Sequence, residues 1–120
     1  MTRRIVLIED DPDTARLVEE MLREIGHRVQ TWARLEDGAG DDAAELVITD
    51  LVPLRTFDPA IAREWITRVR ALFPNAAVVV ATAHAPAASA GAAAIGADVV
   101  LTKPFDVALF TRAVESVLGA

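Results

Sequence analysis

The chain is 120 residues long, the length of one ordinary domain, and is 52% hydrophobic and 25% charged, which places it among folded globular proteins rather than disordered ones. A formal net charge of −6 argues against nucleic acid and anionic membrane surfaces as partners, since both need a basic face to replace counterions. The absence of cysteine excludes disulfides, thiolate metal sites and cysteine nucleophiles together, and leaves a reducing cytoplasm as the simplest home.

The N-terminal MTRRIVLIEDD has two arginines before an apolar run, but Ile-Val-Leu-Ile is too short for a signal-peptide core or a membrane span. It is read as a first strand, Arg4 to Ile8. The following DPDTARLVEEMLREIGH carries Leu17, Val18, Met21, Leu22 and Ile25 at helical spacing, with an early acidic turn and Gly26 as a stop. RVQTW, Arg28 to Trp32, alternates polar and apolar residues and is placed at a sheet edge. Between Trp32 and Leu46, ARLEDGAGDDAAE has few apolar residues, so a second helix there should be short or frayed. Leu46 to Thr49 reads as a buried third strand, yet it ends on Asp50, a charge that should not go where the strand is going. Asp58-Pro59, a capping residue and a proline at the first helical position, opens a third helix with Ile61, Trp65, Ile66, Val69 and Leu72, ending by Pro74. Strand four is Ala77 to Ala81. APAASAGAAAIGA, nearly all alanine and glycine, predicts a weakly anchored, mobile fourth helix. Strand five, Asp98 to Thr102, leads to a last helix, Asp106 to Leu118, built on Val107, Leu109, Phe110, Val114 and Val117.

Short apolar runs alternating with helical patterns are the signature of βα units on a parallel sheet, and runs apolar at successive positions are expected where helices cover both faces. Right-handed crossovers and five strands favour an α/β, doubly wound fold with strand order 2-1-3-4-5, residues 1–120 forming one domain. In that order strands one and three are neighbours, and ligands bind at the carboxyl ends of the strands near the switch point.

The polar residues converge there. Strand one ends in Glu9-Asp10-Asp11, strand three in Asp50, strand four in Thr82 and strand five in Lys103-Pro104, which holds the single lysine of the chain. Each part has a plain reading of its own: an acidic pair caps a helix, a threonine is a strand residue, a lysine is solvated and a proline ends a strand. Together at four strand ends they are more specific. Adjacent carboxylates repel unless a counterion joins them, and oxygen-only ligands without cysteine suit Mg²⁺, with Mn²⁺ as the alternative. A hydroxyl and an ammonium opposite the metal would hold the remaining oxygens of a tetrahedral anion, so Asp50 reads as a carboxylate that meets a phosphorus atom.

Over essentially its whole length the sequence resembles the response regulator receiver domains, a flavodoxin-like family that includes single-domain chemotaxis-regulator-like members. The motifs are VLIEDDP, LVITD, VVVATA and GADVVLTKPF. The resemblance implies a two-component signalling protein in which a histidine kinase or histidine phosphotransfer protein donates a phosphoryl group to Asp50. It also implies that Glu9, Asp10, Asp50 and the carbonyl of Val52 bind Mg²⁺, that Thr82 and Lys103 hold the phosphoryl oxygens, and that the Lys103-Pro104 bond is cis. Catalysis would be limited to self-phosphorylation and autodephosphorylation. Output would come from a shift of the face made by the fourth helix, the fifth strand and the fifth helix as Thr82 moves toward the new charge.

Four features depart from the family pattern. Pro53 comes three residues after Asp50 rather than four, with no glycine following in LRTFDP; Val100 stands where an aromatic switch residue is usual; the segment from Thr82 to Gly96 is about one residue short; and the second helix region is short. Apolar Val52 cannot orient an attacking water, which predicts slow autodephosphorylation unless His84 or a partner assists, although His84 by itself reads as an exposed loop histidine. Alanines at positions 87, 88, 90 and 92 to 94 leave the output face few anchors. The chain ends just after the last helix, as expected either of a receiver acting alone or of one cut from a longer regulator. Two other functions are open: a phosphorylation-independent interaction module, suggested by the altered loop and Val100, and an aspartyl-phosphate phosphatase of the haloacid dehalogenase type, whose Asp-x-Asp spacing EDDPDTA misses. A flavin or nucleotide carrier is disfavoured because EDDPD would repel a phosphate.

Overall fold

Arg4–Ile8 (β1), Arg28–Trp32 (β2), Leu46–Thr49 (β3), Ala77–Thr82 (β4) and Val99–Thr102 (β5) form one parallel sheet in a computed structural model that describes residues 2–35, 40, 43–51, 58–104 and 106–119. The strand order is β2-β1-β3-β4-β5, the doubly wound order expected, with the alternating β2 at an edge. Helices Pro12–Glu24 (α1), Pro59–Leu72 (α2), Ala85–Ala90 (α3), Ala92–Ile95 (α4) and Val107–Leu118 (α5) complete it. The expected short second helix falls largely on residues 36–39 and 41–42, outside the described residues. No described helix is long and apolar enough to cross a membrane.

The continuous apolar runs of β1, β3 and β4 are explained by two cores, one on each face of the sheet. Ile5, Leu7, Leu46, Ile48, Val79 and Ala81 point to the side packed with Val18, Met21 and Leu22 of α1 and Phe110 and Val114 of α5. Val6, Ile8, Val47, Val78 and Val80 point to the other, against Trp65, Ile66, Val69 and Phe73 and against Ile95 of α4. Each fully buried aliphatic or aromatic side chain contributes about 1.5–3 kcal/mol, so both faces must be covered for the central strands to be stable. The alternation also decides which way Thr49 faces. It follows Ile48 and shares the side of Val47, toward α2.

The helix starts follow their sequence signals. Asp11 caps α1, its side chain accepting from Thr14 N at 2.9 Å, and Pro12 supplies a first residue that needs no hydrogen bond. Asp58 does the same for α2, accepting from Ala60 N at 2.9 Å, and Asp106 for α5. The periodic apolar sets overreach, however: Leu17, Ile61, Val107 and Leu109 lie on solvent-facing sides. The expected fourth helix is two pieces, broken at Gly91, whose φ of 87° and ψ of 157° only glycine adopts without strain. Fully buried Ala87 and Ile95 anchor the pieces. Two arginines of α2 add to that anchoring: Arg63 donates to Ala94 O at 2.8 Å, and Arg70 donates to Gly96 O at 2.9 and 3.1 Å.

Candidate functional site

β1 and β3 run side by side, so the residues after them emerge at the same edge. Backbone ties extend the pairing past the strands: Glu9 N donates to Trp32 O and Asp50 N donates to Ile8 O, each at 3.0 Å. Glu9 is thereby drawn inside, 4% exposed, while Asp10 turns outward and Asp50 is half-buried. Oxygens of Glu9, Asp10 and Asp50 lie within 4.8 Å of one another. Asp11 is not part of this group. Its carboxylate is spent on the α1 cap, and the Thr14 hydroxyl and N–H hold it below the usual aspartate range.

Lys103 closes the cluster from β5. Its backbone N–H donates to Thr82 O at 2.8 Å, and the Lys103-Pro104 bond is cis. The half-buried ammonium pairs with Glu9 Oε1 and with Asp50 Oδ2, the latter at 3.0 Å. Burial works against that charge, but the hydrogen bond to Glu9 and the charge and hydrogen bond of Asp50 outweigh it and hold the lysine above its usual range. For Glu9 the balance runs the other way. Burial pushes its carboxyl up despite the hydrogen bond and charge of Lys103.

Thr82 is the last residue of β4 and fully buried, its Oγ1 accepting from His84 N at 3.1 Å. His84 is half-buried at the start of α3 rather than on an exposed loop. Val52 and Pro53, singled out from the sequence, lie outside the described residues. Val100 is partly buried and packs against the α2-side core. A recess of about 350 Å³, lined by Thr14, Leu17, Ala83, Lys103 and Pro104, opens beside the ammonium.

Asp50 is held by more than the lysine. Its Oδ1 accepts from Leu51 N at 2.7 Å, and its backbone carbonyl accepts from the Thr49 hydroxyl at 2.8 Å. The same hydroxyl accepts from Trp65 Nε1 at 2.9 Å. Sequence reading missed Thr49 and Trp65 as site residues. The one available signal was that a tryptophan on a buried helix face needs a partner for its N–H.

The donor set fits a hard divalent cation. Three carboxylates against one ammonium leave two negative charges in a partly buried space, and all the candidate ligands are oxygens. A tetrahedral anion bound with such a cation would meet Lys103 on one side.

Neither a scan against protein-family models nor a search of curated proteins finds a match. Solved structures do match. A response regulator receiver protein from Burkholderia phymatum is 28% identical with a TM-score of 0.71, the alignment covering 98% of this chain and 95% of that one. The receiver domain of a sensor histidine kinase from Pseudomonas aeruginosa, which has a magnesium ion coordinated in its active-site cleft, is 23% identical with a TM-score of 0.74 and full coverage of both chains. A CheY-like receiver domain protein from Methanospirillum hungatei is 18% identical with a TM-score of 0.75, covering 99% of this chain and 95% of that one. In strand order, extent and sequence likeness, the chain has the fold of the response regulator receiver domains and resembles that family from end to end.

Proposed function

We propose that residues 1–120 form a single receiver domain whose Asp50 accepts a phosphoryl group from a phosphohistidine of a histidine kinase or histidine phosphotransfer protein, in a reaction that needs Mg²⁺ or Mn²⁺. The observation that carries the reading is the meeting of Glu9, Asp10, Asp50 and Lys103 at the carboxyl end of a sheet whose central strands are mostly apolar. A bound divalent cation supplies neutralisation and orientation of the phosphoryl oxygens. Glu9, Asp10 and Asp50 would hold it, with the carbonyl of Val52, outside the described residues, as the further ligand the family resemblance implies.

The remaining work belongs to the chain's own groups. A carboxylate oxygen of Asp50 forms the new bond to phosphorus as the phosphorus–nitrogen bond breaks, and the imidazole nitrogen keeps the electron pair. Lys103 exchanges its pairing with Asp50 for one with a phosphoryl oxygen, keeping Glu9 as a buried partner. The Thr82 hydroxyl already accepts from His84 N, so its own proton remains to be donated to a phosphoryl oxygen. The added charge draws Thr82 and the start of α3 toward Asp50, which alters the face built by α3, α4, β5 and α5. With valine at position 100, no aromatic rotamer carries that change.

The test is incubation with Mg²⁺ and a small phosphodonor such as acetyl phosphate, read by intact mass. The wild-type chain gains one phosphoryl group; Asp50→Asn gains none, and a chelator abolishes the gain. A wild-type chain that stays unmodified would favour the interaction-module reading instead.

A further inference from the structure

Asp50 is gripped from a side that the proposed chemistry does not use. Thr49 is fully buried and Trp65 is 5% exposed, and they join helix α2 to the end of β3. The chemistry of the two groups fixes the polarity of the link. An indole N–H can only donate, so the Thr49 oxygen must accept from it at 2.9 Å. The hydroxyl has one proton, and the nearby acceptor for it is the carbonyl of Asp50 at 2.8 Å. That carbonyl belongs to the same peptide unit as Leu51 N–H, which donates to Asp50 Oδ1 at 2.7 Å. The plane of one peptide is therefore held at its carbonyl end by Thr49, and its amide end in turn holds the carboxylate. Hydrogen bonds in such a chain polarise one another and strengthen the last donor.

We infer that Thr49 and Trp65 are positioning residues for Asp50: the chain from the Trp65 indole through the Thr49 hydroxyl and the 50–51 peptide sets the rotamer of the acceptor carboxylate. The inference rests on the phosphoacceptor reading above. Neither residue touches the phosphoryl group. They act by keeping Oδ1 tied to the backbone, so that Oδ2 faces Lys103 and the space where a donor enters. Arg68 lies over the Trp65 ring with its guanidinium 5.6 Å from the ring centre, which restrains the indole from the solvent side of α2.

The experiment compares wild type, Thr49→Val, Thr49→Ser and Trp65→Phe for the rate of Asp50 phosphorylation by acetyl phosphate in Mg²⁺. It is run well below each variant's melting temperature with folding checked by circular dichroism. Small misplacements of a reacting group lower rates steeply, so Thr49→Val is expected to be about tenfold slower, Trp65→Phe about threefold slower and Thr49→Ser close to wild type. A second readout separates positioning from mere folding. The Trp65 indole N–H resonance, assigned with a Trp32→Phe background, moves when the wild type is phosphorylated and does not move in Thr49→Val. Wild-type rates in Thr49→Val and Trp65→Phe, or an indole signal indifferent to phosphorylation, overturn this inference alone. Failure of the wild type to take a phosphoryl group overturns the phosphoacceptor reading and this inference with it.

Discussion

Replacing Lys103 by methionine removes the ammonium from the site while keeping most of the side-chain volume. In the wild type that ammonium is 3.0 Å from Asp50 Oδ2 and bonded to Glu9, with side-chain exposures of 17% for Lys103, 19% for Asp50 and 3% for Glu9. Without it, Glu9, Asp10 and Asp50 face one another uncompensated. Two unit charges 4.8 Å apart repel by about 3.5 kcal/mol at an effective dielectric of about 20. Glu9 escapes part of this by taking a proton, since burial already raises its carboxyl, and the exposed Asp10 turns to water. The expected net loss in Lys103→Met is about 2–3 kcal/mol, a little under the about 3–5 kcal/mol for breaking a fully buried pair because Lys103 and Asp50 keep some contact with water. That lowers the melting temperature by about 10 °C in a domain of this size. The assay is urea unfolding followed by tryptophan fluorescence, in chelator and again in Mg²⁺. On the proposed reading, a cation in the wild type would compete with Lys103 for the carboxylates of Glu9 and Asp50, whereas in the variant it would have them alone. Mg²⁺ should therefore stabilise Lys103→Met by about 1–2 kcal/mol more than it stabilises the wild type. A variant within about 0.5 kcal/mol of wild type in chelator, or an equal Mg²⁺ increment in both proteins, refutes the reasoning.

Two further outcomes test the scaffold. A β-carbon at Gly91 meets no atom within 4 Å, so Gly91→Ala isolates backbone strain; it should lose about 1–3 kcal/mol with unchanged helical content, and a neutral substitution with increased helical circular dichroism would show α3 and α4 fusing instead. His27 accepts from Arg3 N at 3.1 Å through Nδ1, and burial, then the N-terminal charge and Arg3, hold its pKa below 6.5. The unfolded chain therefore takes the proton more readily, and the histidine's stabilising contribution is present above about pH 6.5 and lost as pH falls through the folded value. The melting temperature of the wild type should fall more between about pH 7 and about pH 5 than that of His27→Gln, and equal falls would dismiss the linkage.

The architecture was legible because the central strands are covered on both faces, and so read as unbroken apolar runs, whereas β2, at the edge, alternates. That the candidate residues would converge was legible because Glu9, Asp50, Thr82 and Lys103 lie at the ends of strands adjacent in the sheet, where a parallel fold brings them to one edge. Helix periodicity was less informative. An apolar stripe reports which positions can be buried, and Leu17, Ile61, Val107 and Leu109 sit on its margins beyond the reach of a neighbour. The break at Gly91 was hidden because alanine carries no phase along a helix. Asp11 was grouped with its neighbours since sequence does not distinguish a cap from a ligand; the Thr14 bonds do. The Trp65–Thr49 link was the hardest to see, because it joins residues on different elements with no local pattern, and their meeting depends on the side to which Thr49 alternates.

That link and Lys103 together explain how a charge can end a strand as apolar as β3. A carboxylate placed there by backbone geometry alone would be free to turn toward water, away from its neighbours. Instead one oxygen is fixed through the 50–51 peptide from the α2 side, and the other is fixed by an ammonium from the β5 side. The two restraints come from different elements, helix α2 and the residue after β5, and have different chemistry. The first is made by uncharged donors and ends on the backbone N–H of Leu51, so it persists, though altered in strength, when the partner of Oδ2 changes; the second is ionic and is the one that a phosphoryl group or a cation would displace. Asp50 can therefore exchange its ionic partner without losing its orientation, which a carboxylate held only by a salt bridge could not do.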